Sequence, residues 1–65
     1  MNTLYTIHCP KCEVLKTKLT QKGIEFVENT NVDEMKAKGI ETVPYLDTPD
    51  GLLNFSQAVK WINEQ

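Results

Sequence analysis

The feature that most constrains this chain of 65 residues is a helical segment between two strand-like segments. Residues 3–7 are rich in β-branched and aromatic side chains and predict a first strand, and residues 24–28 predict a second. Between them, good helix formers occupy residues 10–22, and Gly23 follows as a helix-ending residue. Strands joined through such a helix lie parallel, with a right-handed crossover. The amino-terminal half therefore predicts a β-α-β unit.

The rest of the chain predicts a short helix, a hairpin and a last helix. Residues 32–38 predict the short helix, and residues 42–46 and 52–53 predict two strands around a Pro-Asp-Gly turn. Residues 55–62 carry apolar side chains at helical spacing. The order β-α-β-α-β-β-α predicts an α/β fold with a four-stranded mixed sheet and helices on both faces. We expect one domain over residues 1–65.

Charge and length exclude several classes of function. Seven Lys stand against nine Asp or Glu, for a net charge of −2, and the chain has no Arg. Because nucleic-acid binders rely on a basic excess and on Arg, we expect no nucleic-acid partner. No apolar run is long enough to span a membrane, and the first residues lack the pattern of a signal peptide. The sequence thus predicts a cytoplasmic monomer without a membrane partner.

The two cysteines, in Cys9-Pro10-Lys11-Cys12, stand where the first strand gives way to the first helix. A bridge between them closes only a tiny loop and adds little stability. A zinc site needs four ligands, and the chain adds only one histidine, His8. A redox pair is the remaining interpretation, and we expect no bound metal.

Within this pair, the position of each thiol predicts its role. The unpaired amides of Lys11 and Cys12 and the helix dipole favour the thiolate of Cys9, and the Lys11 ammonium adds a further positive charge. We therefore predict Cys9 as the attacking nucleophile. Cys12 lies one turn inside the helix, so it is predicted to be the more shielded, less acidic, resolving thiol. Pro10 suits the first helical position and fixes the turn geometry there.

Two features beside the cysteines each have two interpretations. His8 either supports the Cys9 thiolate and carries a proton, or is an exposed loop residue. The basic excess of the first third of the chain is either a solvated helix face or a positive field around the thiols. Its lysines are Lys11, Lys16, Lys18 and Lys22.

The chain resembles the glutaredoxin branch of the thioredoxin-fold superfamily, in a short form. The resemblance covers nearly the whole chain and rests on Tyr5-Thr6, Cys9-Pro10-Lys11-Cys12, Gly23-Ile24-Glu25-Phe26 and Thr42-Val43-Pro44. It implies a thioredoxin-like fold and a dithiol that reduces protein disulfides or glutathione-mixed disulfides. It also implies a cis-proline at Pro44, facing the Cys9 sulfur. Thr42, Val43 and Lys11 would then bind the substrate, with the Val43 backbone pairing with an extended segment.

The departures from the family pattern leave the electron donor open. Ile7 and His8 stand where a lysine usually precedes the first cysteine, and Lys11 replaces a common tyrosine. Residues 51–57 lack the Gly-Gly and the acidic pair that hold glutathione. Either glutathione or thioredoxin reductase is therefore expected as reductant. The alternative function is an iron–sulfur module, in which two chains share a cluster through Cys9 thiolates and glutathione.

Overall fold

A computed structural model describes residues 2–7 and 9–65, which contain three helices and four strands in the predicted order. The α/β class and the order β-α-β-α-β-β-α are confirmed. The elements are β1 (Asn2–Tyr5), α1 (Pro10–Gln21), β2 (Phe26–Asn29), α2 (Val32–Ala37), β3 (Tyr45–Thr48), β4 (Gly51–Leu53) and α3 (Phe55–Asn63). Among the described residues, no helix combines the length and the apolar character needed to cross a membrane.

The sheet is open, mixed and four-stranded, with the strand order β2-β1-β3-β4. β1 and β2 are parallel, as the intervening helix α1 requires, whereas β1 pairs antiparallel with β3 and β3 with β4. Tyr5 lies opposite Tyr45, so the carboxyl end of β1 and the amino end of β3 share one edge of the sheet. That edge carries Thr6 and Ile7 on one side and Pro44 on the other.

One face of the sheet, which we call the closed face, packs against α1 and α3. The side chains that fill it are fully buried: Leu4, Leu15, Leu19, Leu46, Ala58 and Ile62. On α1, Cys12, Leu15 and Leu19 follow one another at helical spacing, so they lie along the same buried stripe. The buried stripe of α1 therefore begins at Cys12.

The other face, which we call the open face, carries α2 alone among the helices of the described residues. Successive residues of a strand point to opposite faces. Tyr5 therefore points away from the face that Leu4 occupies and packs against Met35 and Ile40. This second cluster is small, with Val43 and Tyr45 partly buried against it. Helices thus lie on both faces, as predicted.

The strands begin and end at other residues than the sequence predicted, and the backbone donors explain why. β2 starts at Phe26 because the Ile24 amide donates to Leu19 O at 3.0 Å, completing the end of α1 around Gly23, whose φ is 68°. β3 starts at Tyr45, after Pro44, since proline has no amide to donate to the ladder. β1 ends at Tyr5 rather than at residue 7, and Ile7 is 54% exposed.

Side-chain caps hold the first turns of α2 and α3. Asn54 accepts from the Gln57 amide at 2.9 Å while the Gln57 side chain accepts from the Asn54 amide, a reciprocal capping box. Asn31 accepts from the Glu34 amide at 3.1 Å. The Glu34 carboxylate accepts from the side chain of Asn29. Both helices are short, so these caps contribute to where each one begins.

Candidate active site

Cys9 is the N-cap residue of α1. Its backbone is extended, with φ −84° and ψ 164°, and its Sγ accepts a hydrogen bond from the Cys12 amide at 3.3 Å. This is the position in which a Ser, Thr, Asp or Asn oxygen usually satisfies an unpaired amide. Pro10 occupies the first helical position, where its lack of an amide costs no hydrogen bond. The predicted contact between the Cys9 sulfur and the Cys12 amide is present.

The two thiols are adjacent but differ in access to solvent. The Sγ atoms of Cys9 and Cys12 are 2.8 Å apart, and both cysteines are free. Cys12 is 1% exposed, whereas Cys9 is only partly buried. Cys9 is therefore the more accessible of the two sulfurs, and Cys12 lies directly beside it.

The surroundings of Cys12 change the pKa of its thiol in opposite directions. Burial raises the pKa of the Cys12 thiol, but hydrogen bonds from the Cys9 side chain and from Thr6 oppose it, as do contacts with backbone groups. The net result is a pKa below the ordinary value of 9.0. The prediction that Cys12 is the less acidic of the two thiols stays a prediction, and the donors around its sulfur offset the effect of its burial. Access to solvent distinguishes the two thiols.

Thr6 and Ile7, which the sequence analysis did not assign to the site, contact it. The Thr6 side chain and the Ile7 backbone both lower the pKa of the Cys12 thiol. A signal for Thr6 was present in the strand alternation: Thr6 follows Leu4 by two residues and so points to the closed face, where the Cys12 stripe packs. For Ile7, no sequence signal indicated this contact.

Lys11 lies beside an aromatic ring of another element. Its Nζ is 5.5 Å from the centroid of the Phe55 ring, at the start of α3. A cation over a ring face at this distance is attracted by the ring quadrupole. The structure therefore places the Lys11 charge between the cysteine motif and α3, and the roles of Lys11 toward the thiolate and the substrate stay predictions.

The Thr42-Val43-Pro44 segment lies at the same edge of the sheet as the thiols. The Val43–Pro44 peptide bond is cis, as the resemblance implied, and Pro44 is buried. The register that pairs Tyr5 with Tyr45 brings Pro44 across from the residue that follows Tyr5. A contact between Pro44 and the Cys9 sulfur stays a prediction.

A cavity of about 490 Å³ opens on the open face, next to this segment. We call it the α2 groove. Its apolar lining includes Ile7 and Val32, which are 54% and 48% exposed, together with Val43. Lys36 and Glu41 are its charged residues. The full lining is Ile7, Val32, Met35, Lys36 and residues 39–43. The groove thus joins Thr42 and Val43 to Ile7, which lies shortly before the cysteine motif.

The remaining site predictions concern His8 and metals. His8 lies outside the described residues. Within residues 2–7 and 9–65, no three His, Cys, Asp or Glu side chains come together as a metal site. A cluster shared between two chains stays a prediction, since its ligands would come from both.

Comparisons of the chain with protein-family models, with curated proteins and with solved structures find no match. The fold and the site still define a class: an α/β protein with an open mixed sheet and paired thiols at a helix start. Assignment to a particular family rests on the motifs in the sequence.

Proposed function

We propose that this chain is a thiol–disulfide oxidoreductase, glutaredoxin-like in its motif and thioredoxin-like in its fold. The observation that carries the proposal is the pair of free thiols, 2.8 Å apart, one accessible and one buried, at the start of α1. A structural thiol pair gains little from such an arrangement, whereas exchange chemistry needs an exposed attacker and an adjacent second sulfur. The cis bond before Pro44, at the same edge of the sheet, supports the same proposal.

The reaction proceeds in two exchanges. The Cys9 thiolate attacks one sulfur of a substrate disulfide, forming a Cys9–substrate bond and releasing the other substrate sulfur as a thiolate. The Cys12 thiolate then attacks Cys9 Sγ, and the remaining substrate sulfur leaves with the bonding electrons. The substrate gains two electrons and the protein keeps a Cys9–Cys12 disulfide, which an upstream reductase returns to two thiols.

The α2 groove supports a disulfide-bearing protein segment or a glutathione-mixed disulfide as substrate. Its apolar lining at Ile7 and Val32 fits an aliphatic side chain next to the disulfide. Thr42 and Val43 border the groove and would pair with the extended backbone of that segment. A monomer in the cytoplasm, where thiols stay reduced, belongs to the same proposal.

The direct test is turnover with insulin and with hydroxyethyl disulfide. We expect Cys9→Ser to abolish activity on both, because the accessible attacker is lost. Cys12→Ser should keep at most a glutathione-dependent activity, since a mixed disulfide on Cys9 then depends on glutathione for its release. Full activity in Cys9→Ser would overturn the proposal. Equal unfolding midpoints of the variants confirm that the losses are chemical.

A second measurement identifies the electron donor. The oxidised protein is coupled in turn to glutathione with glutathione reductase, and to thioredoxin reductase, each followed by NADPH consumption. Sustained turnover with one system assigns the upstream reductase. If neither system reduces the Cys9–Cys12 disulfide, the proposed catalytic cycle is wrong.

A further inference from the structure

The first turn of α1 and the start of α3 lie side by side at the thiol end of the protein. The Lys11 Nζ is 5.5 Å from the centroid of the Phe55 ring, and Phe55 is the first residue of α3. At the other ends of the two helices, the Lys22 Nζ donates to Gln65 O at 3.4 Å. The helices therefore run in the same direction, and α3 begins next to the turn that Cys9 caps.

The charge of Lys11 is exposed and is not neutralised by the fold. Lys16 pairs with Glu28 at 3.1 Å, but no carboxylate of the described residues lies within ion-pair distance of Lys11. The Phe55 ring is partly buried against the closed face, and this packing fixes its place. A fixed ring attracts the ammonium and restricts a side chain that would otherwise occupy many rotamers. The cation is thus held beside the cysteine motif.

We propose that Lys11, held over the Phe55 ring, is a specificity-determining residue that favours disulfides with an acidic side chain next to the attacked cysteine. This inference rests on the proposed function. Ile7 and Val32 line the α2 groove on the open face, whereas Phe55 packs against the closed face. A substrate segment that lies across Cys9 presents an aliphatic side chain to the groove and a carboxylate to Lys11. No existing ion pair has to break for this contact to form.

Lys11 acts on the approach of the substrate and takes no part in the bonds that change. In the first exchange, the Cys9 thiolate forms a bond with one substrate sulfur, the substrate disulfide breaks, and the electron pair leaves with the other substrate sulfur. Attraction between an ammonium and a carboxylate at an accessible site changes a rate or an affinity by at most about fivefold. The expected effect is therefore a preference among substrates rather than an absolute requirement.

The first test needs no turnover and compares two alkylating reagents that differ in charge. In a Cys12→Ser background, the remaining thiol of Cys9 reacts with iodoacetate, which carries a carboxylate, or with neutral iodoacetamide, and mass spectrometry gives both rates. Ionisation of Cys9 affects both rates alike, so their ratio reports the attraction of an anion to this sulfur. We expect Lys11→Met to lower the ratio of iodoacetate to iodoacetamide about two- to fivefold.

Three further variants make the result specific to the held charge. Lys22→Met removes the same charge from the other end of α1, about 16 Å away along the helix and beyond the roughly 8 Å over which physiological salt screens a charge, so the ratio should not change. Lys11→Arg keeps a cation over the ring and should keep the ratio. Phe55→Leu removes the ring and should lower the ratio towards that of Lys11→Met.

The second test measures kcat/KM for three disulfide peptides that differ only in the residue next to the cysteine, which is Asp, its neutral counterpart Asn, or Lys. Each value is divided by the rate of the same peptide with dithiothreitol, whose thiolate carries the same charge as that of Cys9. We expect the Asp peptide to exceed the Asn peptide about two- to fivefold and the Lys peptide to be the poorest substrate. Lys11→Met should bring the three values together, and Lys22→Met should leave their order unchanged.

The results separate the inference from the proposed function. If the unsubstituted protein reduces none of the peptides, the proposed function fails. If it reduces all three equally well, the function stands and the specificity of Lys11 is wrong. The inference is also overturned if Lys11→Met leaves the alkylation ratio unchanged, if Lys22→Met lowers that ratio as much, or if Phe55→Leu has no effect on it.

Discussion

The two faces of the sheet differ in how completely they are covered. On the closed face, six side chains of the sheet, α1 and α3 are fully buried. On the open face, Tyr5, Met35 and Ile40 form a small cluster beside the α2 groove. Because a domain of this size has little surface to bury, we expect the closed face to contribute more to the stability of the fold than the open face.

The paired thiols lie where the two faces meet. Cys12 begins the buried stripe of the closed face, whereas Ile7 and Val43 open onto the groove of the other. Cys9, at the start of α1, lies between the buried stripe of the closed face and the α2 groove of the open face. Under the proposed function, the closed face would hold the resolving sulfur and the open face would receive the substrate.

The largest expected effect comes from matched truncations on the two faces. Ile62→Ala removes a fully buried side chain of the closed face and should lower the free energy of unfolding by about 2–5 kcal/mol. Ile40→Ala makes the same change beside the α2 groove, where water can enter the space left, and should cost about 1–2 kcal/mol. Urea unfolding of both variants measures the difference, and equal losses would show that the faces contribute alike.

A smaller effect links the closed face to pH through Cys12. Folding lowers the pKa of this thiol, so between that lowered pKa and 9.0 the unfolded chain holds the proton that the folded chain has lost. The stability of the reduced protein should therefore rise with pH in this window, by less than about 1.4 kcal/mol per pH unit, and level off above it. The contribution is lost as the pH falls through the folded pKa. Unfolding curves of the reduced protein, minus those of Cys12→Ser, isolate it, and a flat difference would contradict the shift.

The open face should affect substrate use more than stability. Val32→Ser places a polar group on the α2 groove and should lower kcat/KM for a protein disulfide roughly threefold to tenfold. Val14→Ser is the matched control, since Val14 is 42% exposed on α1, outside the residues that line the groove. Both variants should unfold within about 0.5 kcal/mol of the parent. Equal kcat/KM in the two variants would exclude the groove as the substrate site.

The smallest expected effect concerns the contact between the cysteine motif and α3. The Lys11 ammonium lies over the Phe55 ring, and such a contact at an accessible site contributes about 0.5–1 kcal/mol. A double-mutant cycle of Lys11→Met and Phe55→Leu, followed by chemical unfolding, measures that coupling. A coupling free energy of zero would show that the Lys11–Phe55 contact does not stabilise the fold. Only the predicted roles of Lys11 toward the thiolate and the substrate would then remain.

Much of the fold was predictable because its signals are local. The helical spacing of residues 10–22 predicted α1, and the helix in turn predicted the parallel pairing of β1 with β2. The ends of the strands were not predictable to the residue. They depend on which amides are already used, as at Ile24, or missing, as at Pro44.

The site was predictable in part for the same reason. The spacing of Cys9 and Cys12 at a helix start is visible in the sequence, and their Sγ atoms are adjacent. The groups that lower the pKa of the Cys12 thiol were not predictable from the spacing, because they include Thr6 and the Ile7 backbone, which precede the cysteine motif. The contact of Lys11 with Phe55 joins residues far apart in the chain and had no signal in the spacing.

The amino-acid sequence by itself determined the order of helices and strands and the placement of two thiols at the first turn of α1. Both follow from the side chains of near neighbours, whose spacing sets which face of an element they share. Only the tertiary structure decided which donors surround Cys12, which residues line the α2 groove, and that Pro44 lies across the sheet edge from Thr6. These depend on packing between elements distant in the chain, where burial and hydrogen-bond partners are set by the fold as a whole.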